Sequence, residues 1–238
     1  MEFDSFAAMA LAVTLGAGVQ AAIGFAFGLI AAPVLLVAMG SGAAIQVLVV
    51  VHLVQSLMLV PRLWHLAPRR ILVTLMLASV VGFPIGLLVF LSLDLTALTL
   101  AVGISLIAVA LLLAAREAGY LHMADIRPDK VPRWATATTG VVTGILTAVL
   151  VMPGPPVMIL NGWMRMPKDE SRALSLTFFA FCYVMTTLLH MTAGGMPLSA
   201  WTTVAYLAPF VVVGTLIGTR VAAYLSEGWF RFLLLVVV

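Results

Sequence analysis

The long apolar stretches of this chain carry no Asp, Glu, Lys or Arg in their interiors. In hydrocarbon, a backbone must satisfy its own N–H and C=O groups, so each stretch is read as helix. Of 238 residues, 63% are hydrophobic and 9% charged, with mean hydropathy +1.20. Soluble domains carry about 25% charged residues, so the expected class is an all-α polytopic membrane protein. The net charge of +3 comes from basic residues spread over short loops. That is the pattern of membrane topology, so the lipid bilayer is the expected partner and nucleic acid is excluded. Cys182 is the one cysteine, which excludes an intramolecular disulfide and suits a small packing residue. Met1-Glu-Phe-Asp4 lacks the positive region of a cleavable signal, so the first apolar stretch is expected to stay.

Two stretches are interrupted by helix breakers: Gly24-Phe-Ala-Phe-Gly28 in the first, and Val151-Met-Pro153-Gly-Pro-Pro156 in the second half. Freed backbone at membrane depth survives only against protein or a water-filled cavity, and paired breaks of this kind mark a ligand site. Ser5 to Met39 is about 35 residues, or roughly 50 Å as helix, too long for one crossing of a ~30 Å core and short for two. Further crossings are expected at 43–60, 71–91, 96–115, 173–191 and 201–222. The segment 232–238 is too short to span unless it begins near Trp229 or continues past the given end.

The polar stretch 116–133, with Pro128 and Pro132, divides the chain into a first membrane repeat (1–115), a cytoplasmic linker (116–133) and a second repeat (134–238). Basic residues fall in 62–70, 116–133, 165–172 and 220–231. If these are cytoplasmic, 135–162 must leave and return within about 28 residues, as a hairpin turning inside the membrane. The same reasoning starts and ends 5–39 outside. Each repeat is then a re-entrant hairpin plus three transmembrane helices, and the odd count inverts one repeat relative to the other. Gly82/Gly86 and Gly214/Gly218 recur at an interval of about 130 residues and are read as close helix packing. Trp64, Trp134, Trp163, Trp201 and Trp229 fall at segment ends, where aromatic belts belong.

In each hairpin the return helix starts at depth, with its first N–H groups carrying about half a positive charge. Pro155 and Pro156 suit a first helical turn, where the missing N–H is not needed. Two such ends meeting near the midplane make an anion site without Lys or Arg. The candidate substrate-binding residues are Gly24, Phe25, Phe27 and Gly28 at the first break and Pro153, Gly154, Pro155 and Pro156 at the second. His52 and Gln55 lie at i and i+3 on one helix face and join them as substrate contacts or proton carriers. His190 is expected at the interface, and Gln20 and Asn161 either line the cavity or satisfy freed backbone. Gly16-Ala-Gly18-Val-Gln-Ala21 imitates a dinucleotide fingerprint, but no strand precedes it and no acidic residue follows at the required distance.

Gly24-Phe-Ala-Phe-Gly28-Leu-Ile-Ala-Ala-Pro33, the later Pro153-Gly-Pro-Pro156 and the duplicated four-element layout together resemble the TauE/SafE family of membrane permeases. The resemblance spans nearly the whole chain and implies export of sulfite, sulfonates and related sulfur-containing anions. The chain departs from the commoner pattern in Phe27, where a glycine is frequent, and in Met152-Pro153 before the second glycine. The family's usual polar position in the second helix is matched by His52 or Gln55.

The expected function is a secondary transporter, an exporter of small sulfur-containing anions, working by alternating access around two broken-helix tips in a bacterial inner membrane. No cofactor or metal is expected. His52 is the mid-helix group that titrates near neutral pH, so H+ is the candidate coupling ion, while oligomeric assembly is left open. The alternatives are a passive anion channel and a histidine-based intramembrane enzyme. The second lacks the three or four ligands that a metal site needs.

Overall fold

The computed structural model describes residues 3–117, 126–164, 166–193 and 195–224. The expectations for Trp229, Arg231, Arg165 and segment 232–238 lie outside the described residues. Nine α-helices run through those described: α1 (Phe3–Ile23), α2 (Phe27–Met39), α3 (Ala43–Leu63), α4 (Arg69–Ser92), α5 (Leu95–Glu117), α6 (Arg133–Leu150), α7 (Gly154–Trp163), α8 (Lys168–Ala193) and α9 (Leu198–Tyr224). Among the described residues, five helical spans are long and apolar enough to cross a membrane: Asp4–Ile23, Ala43–Leu66, Arg69–Ser92, Lys168–Ala193 and Leu198–Tyr224. Among the described residues there is no strand, only an isolated bridge between Ile126 and Met164.

Both expected breaks are real ends of helices. Gly24 (φ 95°) and Ala26 (φ 89°) adopt left-handed backbone between α1 and α2, and Val151 (φ 57°) does so after α6. Left-handed backbone is cheap for Gly24 and costly for a β-branched residue such as Val151, so the second turn is held by its surroundings. The first break folds the chain back on itself. Gly16 and Phe27 would stand about 16 Å apart along a continuous helix, yet a Cβ on Gly16 would lie 3.3 Å from the Phe27 Cα.

The hairpins pack reciprocally, α1 against α9 and α6 against α4. Glycine makes both seams possible. A Cβ on Gly82 would strike the Val141 carbonyl, one on Gly86 would lie 2.6 Å from the Ile145 oxygen, and one on Gly144 would lie 2.5 Å from the Ser79 oxygen. In the other seam, added Cβ atoms on Gly214 and Gly218 would strike the carbonyls of Thr14 and Gly18. The Gly82/Gly86 and Gly214/Gly218 pairs thus let backbones approach closely, as small residues do between membrane helices.

The centre is formed by α3 and α8, which pack on one another. Their apolar windows are 67% and 61% buried, against 44% and 39% for α4 and α9. The outward faces of the other helices carry Leu11, Leu77, Leu88, Leu100 and Ile107, all exposed. Apolar side chains on the outside suit hydrocarbon as the surrounding solvent.

The two ends of the molecule differ in charge. At one end Arg70 donates to the Asp129 carbonyl, and Ile126 N–H donates to the Trp163 carbonyl at 3.0 Å. These contacts gather the basic stretch 62–70, the end of the 116–133 stretch and the chain leading into α8. At the other end Gln46 Nε2 donates to the Gly195 carbonyl at 3.1 Å, bringing together uncharged turns.

Packing of this kind predicts opposite outcomes for two glycines. Gly86→Val must displace the α6 backbone, costing about 1–3 kcal/mol or more. Gly103 in α5 has nothing within 4 Å of an added Cβ, so Gly103→Ala should be neutral or gain up to about 1 kcal/mol from helix propensity. Thermal unfolding in detergent checks both.

Candidate functional site

The helix breaks face each other. A Cβ on Gly28 would lie 2.8 Å from the Val151 carbonyl oxygen and 3.3 Å from Met152 Cγ, and one on Gly154 would lie 3.6 Å from Phe25 Cβ. Between them is a cavity with about 250 Å³ of empty space, open solvent included. The first hairpin lines it with Gln20, Phe25, Ala26, Gly28 and Leu29; the second with Val151, Met152, Pro153, Gly154 and Pro155. Phe179 and Tyr183 of α8 complete the wall.

The N-terminus of α2 explains why the cavity has a polar side. A helix leaves its first four N–H groups without intrahelical partners. Phe27 N–H donates to Gln20 Oε1 at 3.3 Å, and Ile30 N–H to the Ala26 carbonyl at 3.2 Å. Gly28 and Leu29, the two residues between, both line the cavity. On α7 the first four residues are Gly154-Pro155-Pro156-Val157, so two of these positions have no N–H and Gly154 and Val157 carry the remaining two. Among the described residues no Asp, Glu, Lys, Arg or His lines the cavity, so the electrostatics of this lining come from helix ends, the Gln20 amide and the Tyr183 phenol.

Of the sequence-predicted residues, Phe25, Gly28, Pro153, Gly154 and Pro155 line the cavity, and five lie beside or behind it. Gly24 sits against Arg172, whose Cγ would be 3.5 Å from an added Cβ. Pro156 is the third residue of α7 and half-buried. Phe27 is fully buried and stacks on His52, with ring centroids 4.0 Å apart and planes inclined by 26°. His52 in turn lies 4.6 Å from the Tyr183 ring, centroid to centroid. Its Nδ1 is 2.7 Å from the Leu48 carbonyl. Because a carbonyl only accepts, Nδ1 carries the proton and the buried Nε2, without a partner, is the bare nitrogen. Gln55 Nε2 donates to the Ala17 carbonyl at 2.7 Å, fixing α3 to α1.

Gln20 fills both roles weighed for it: it lines the cavity and satisfies the Phe27 N–H. Its amide also lies beside the phenol of Tyr183 on the cavity wall. Asn161 instead donates to Ser175 Oγ at 2.9 Å, joining α7 to α8. His190, expected at the interface, is buried within the protein, with its Nε2 3.0 Å from the Ala148 carbonyl and its ring stacked on Phe90 at 4.5 Å. Sequence reasoning missed Phe179, Tyr183 and Arg172. Tyr183 left a signal, a phenol inside an apolar run, since a buried Tyr hydroxyl must find a partner.

Residues 9–238 match the family described as Sulfite exporter TauE/SafE. The chain belongs to that family. It is therefore a multi-pass membrane transporter and not an enzyme, with a small anion as substrate. No curated protein and no solved structure matches it.

The Gln20–Tyr183 contact predicts non-additive stability. Gln20→Leu and Tyr183→Phe should each cost about 1–3 kcal/mol where a buried group is left unpaired. The double variant should lose less than the sum, as measured by thermal unfolding in detergent. Strict additivity would contradict the contact.

Proposed function

We propose that this TauE/SafE member is a secondary transporter exporting small sulfur-containing oxyanions, sulfite or sulfonates, across a bacterial inner membrane. One observation supports the reading: Gly28 and Leu29 at the start of α2 and Gly154 at the start of α7 line one cavity between both breaks, with no acidic side chain among the described lining residues. Helix N-termini are suited to oxyanions. In this reading Gly28, Leu29 and Gly154 bind through backbone, Phe25, Pro153 and Pro155 shape the cavity, and Gly24, Phe27 and Pro156 hold the turns. His52 and Gln55 support Phe27 and α1 from behind, and His52 is the group through which H+ coupling would pass.

The contacts between loops support the orientation. Basic stretches gather at the end where α8 begins, which the positive-inside rule assigns to the cytoplasm. α1 ends beside Arg172, near that end, whereas α6 starts at Arg133 and ends beside His190. The two hairpins therefore enter from opposite faces, as inverted repeats do. Export of a monovalent anion gains about 2.3 kcal/mol per 100 mV from an inside-negative potential.

Counterflow in proteoliposomes with sulfite, sulfate, sulfoacetate and acetate tests the reading. A sulfur anion should exchange saturably. Gly154→Ala, whose Cβ makes an ordinary contact with Phe25, should retain exchange, while Gly154→Leu should abolish it by filling the cavity. Exchange that survives Gly154→Leu, or movement of no anion, would overturn the site; flux that never saturates would point to a channel.

A further inference from the structure

The αL turns after α1 and α6 are built alike and leave the same carbonyl open. Gly24 N–H donates to the Gln20 carbonyl at 2.8 Å, and Val151 N–H to the Thr147 carbonyl at 2.9 Å. In both helices the next carbonyl belongs to an alanine and is taken by a side chain of α8. Arg172 donates through Nη2 to Ala21, and His190 through Nε2 to Ala148 at 3.0 Å. Arg172 and His190 stand about 27 Å apart along α8, close to the ~30 Å thickness of a hydrocarbon core. Phe179 and Tyr183, the α8 contribution to the cavity, lie between them in sequence.

We propose that Arg172 and His190 are positioning residues that latch the two hairpin tips to α8 and set the balance between states open to either face. Resting on the transporter reading, this assigns Arg172 to the cytoplasmic gate and His190 to the external one. Breaking a latch exposes an alanine carbonyl that only water can satisfy at that depth, so a latch opens where a water-filled access path forms. Each latch is also incompletely satisfied when closed. Arg172 Nε and His190 Nδ1 are buried without hydrogen-bond partners, and water entering an open path would supply what they lack. The closed latches are thus held against a counteracting desolvation cost, as a reversible contact requires.

Cysteine labelling with a membrane-impermeant thiol reagent tests this without any substrate, so its outcome is separate from that of the anion site. Native Cys182 is buried on α8 against Thr147, the residue before the Ala148 of the external latch. For the cytoplasmic latch, Ala21→Cys in a Cys182→Ser background places a thiol in the seam where Ala21 meets Leu59 and Leu176. In oriented vesicles His190→Leu should raise Cys182 labelling from outside by about three- to tenfold, and Arg172→Met should raise position-21 labelling from the cytoplasmic side by about tenfold. His190→Gln and Arg172→Lys, which keep a donor, should return labelling toward the parent level. Labelling is compared only among variants that are inserted and monodisperse after extraction. Opposite faces with rescue support the latches. Increases from the same face or from both, no increase, or no rescue overturns them, because general loosening has no sidedness.

Discussion

A backbone group freed from a helix inside hydrocarbon must find a partner, and an unpaired one costs several kcal/mol. This constraint explains the centre of the molecule. Two helices stop inside the protein, and several groups near their ends cover what they leave open. Gly24 and Val151 N–H groups close back onto the last turns. Gln20 takes the N–H of Phe27, and Arg172 and His190 take the carbonyls of Ala21 and Ala148. Gly28, Leu29 and Gly154, at the starts of α2 and α7 where N–H groups lack intrahelical partners, line one cavity.

Close packing makes this covering possible. Each hairpin is gripped by a helix from the other half of the sequence through a glycine seam, α1 on α9 and α6 on α4. In lipid no hydrophobic driving force separates protein from solvent, so van der Waals contact between backbones takes over much of the holding. The most buried spans, α3 and α8, then bring aromatic rings against the first break. Phe27 stacks on His52, whose ring also meets the tilted ring of Tyr183, and these contacts hold the start of α2.

Much of this was legible because it is local. A glycine or proline interrupts a helix wherever the helix lies, so both breaks, the hairpins and the first turn of α7 followed from sequence. The glycine pairs were recognisable as packing because small residues at i and i+4 share a face. Partners across the fold were not legible. Arg172 reads in sequence as one more charge in the run beginning at Lys168. Its role depends on α1 ending beside it, which no spacing within the run encodes. His190 reads as interfacial from its distance to the end of α8, yet the C-terminus of α6 covers it. His52 and Gln55 were singled out correctly as buried polar groups, but each is already engaged with backbone, His52 with Leu48 one turn back on α3 and Gln55 with Ala17, which only the packing of α1 against α3 reveals.

The central claim is that an oxyanion is held by the facing helix ends and by no cationic side chain. The most direct measurement is anomalous diffraction from crystals of the protein grown with selenite, whose selenium marks the position of a sulfite-like ion. The account predicts a peak between Gly28 and Gly154, within about 4 Å of their backbone nitrogens once the ~3 Å hydrogen bond to an oxygen is allowed for. A peak on Arg172 or on the basic loops, with the cavity empty, would contradict it.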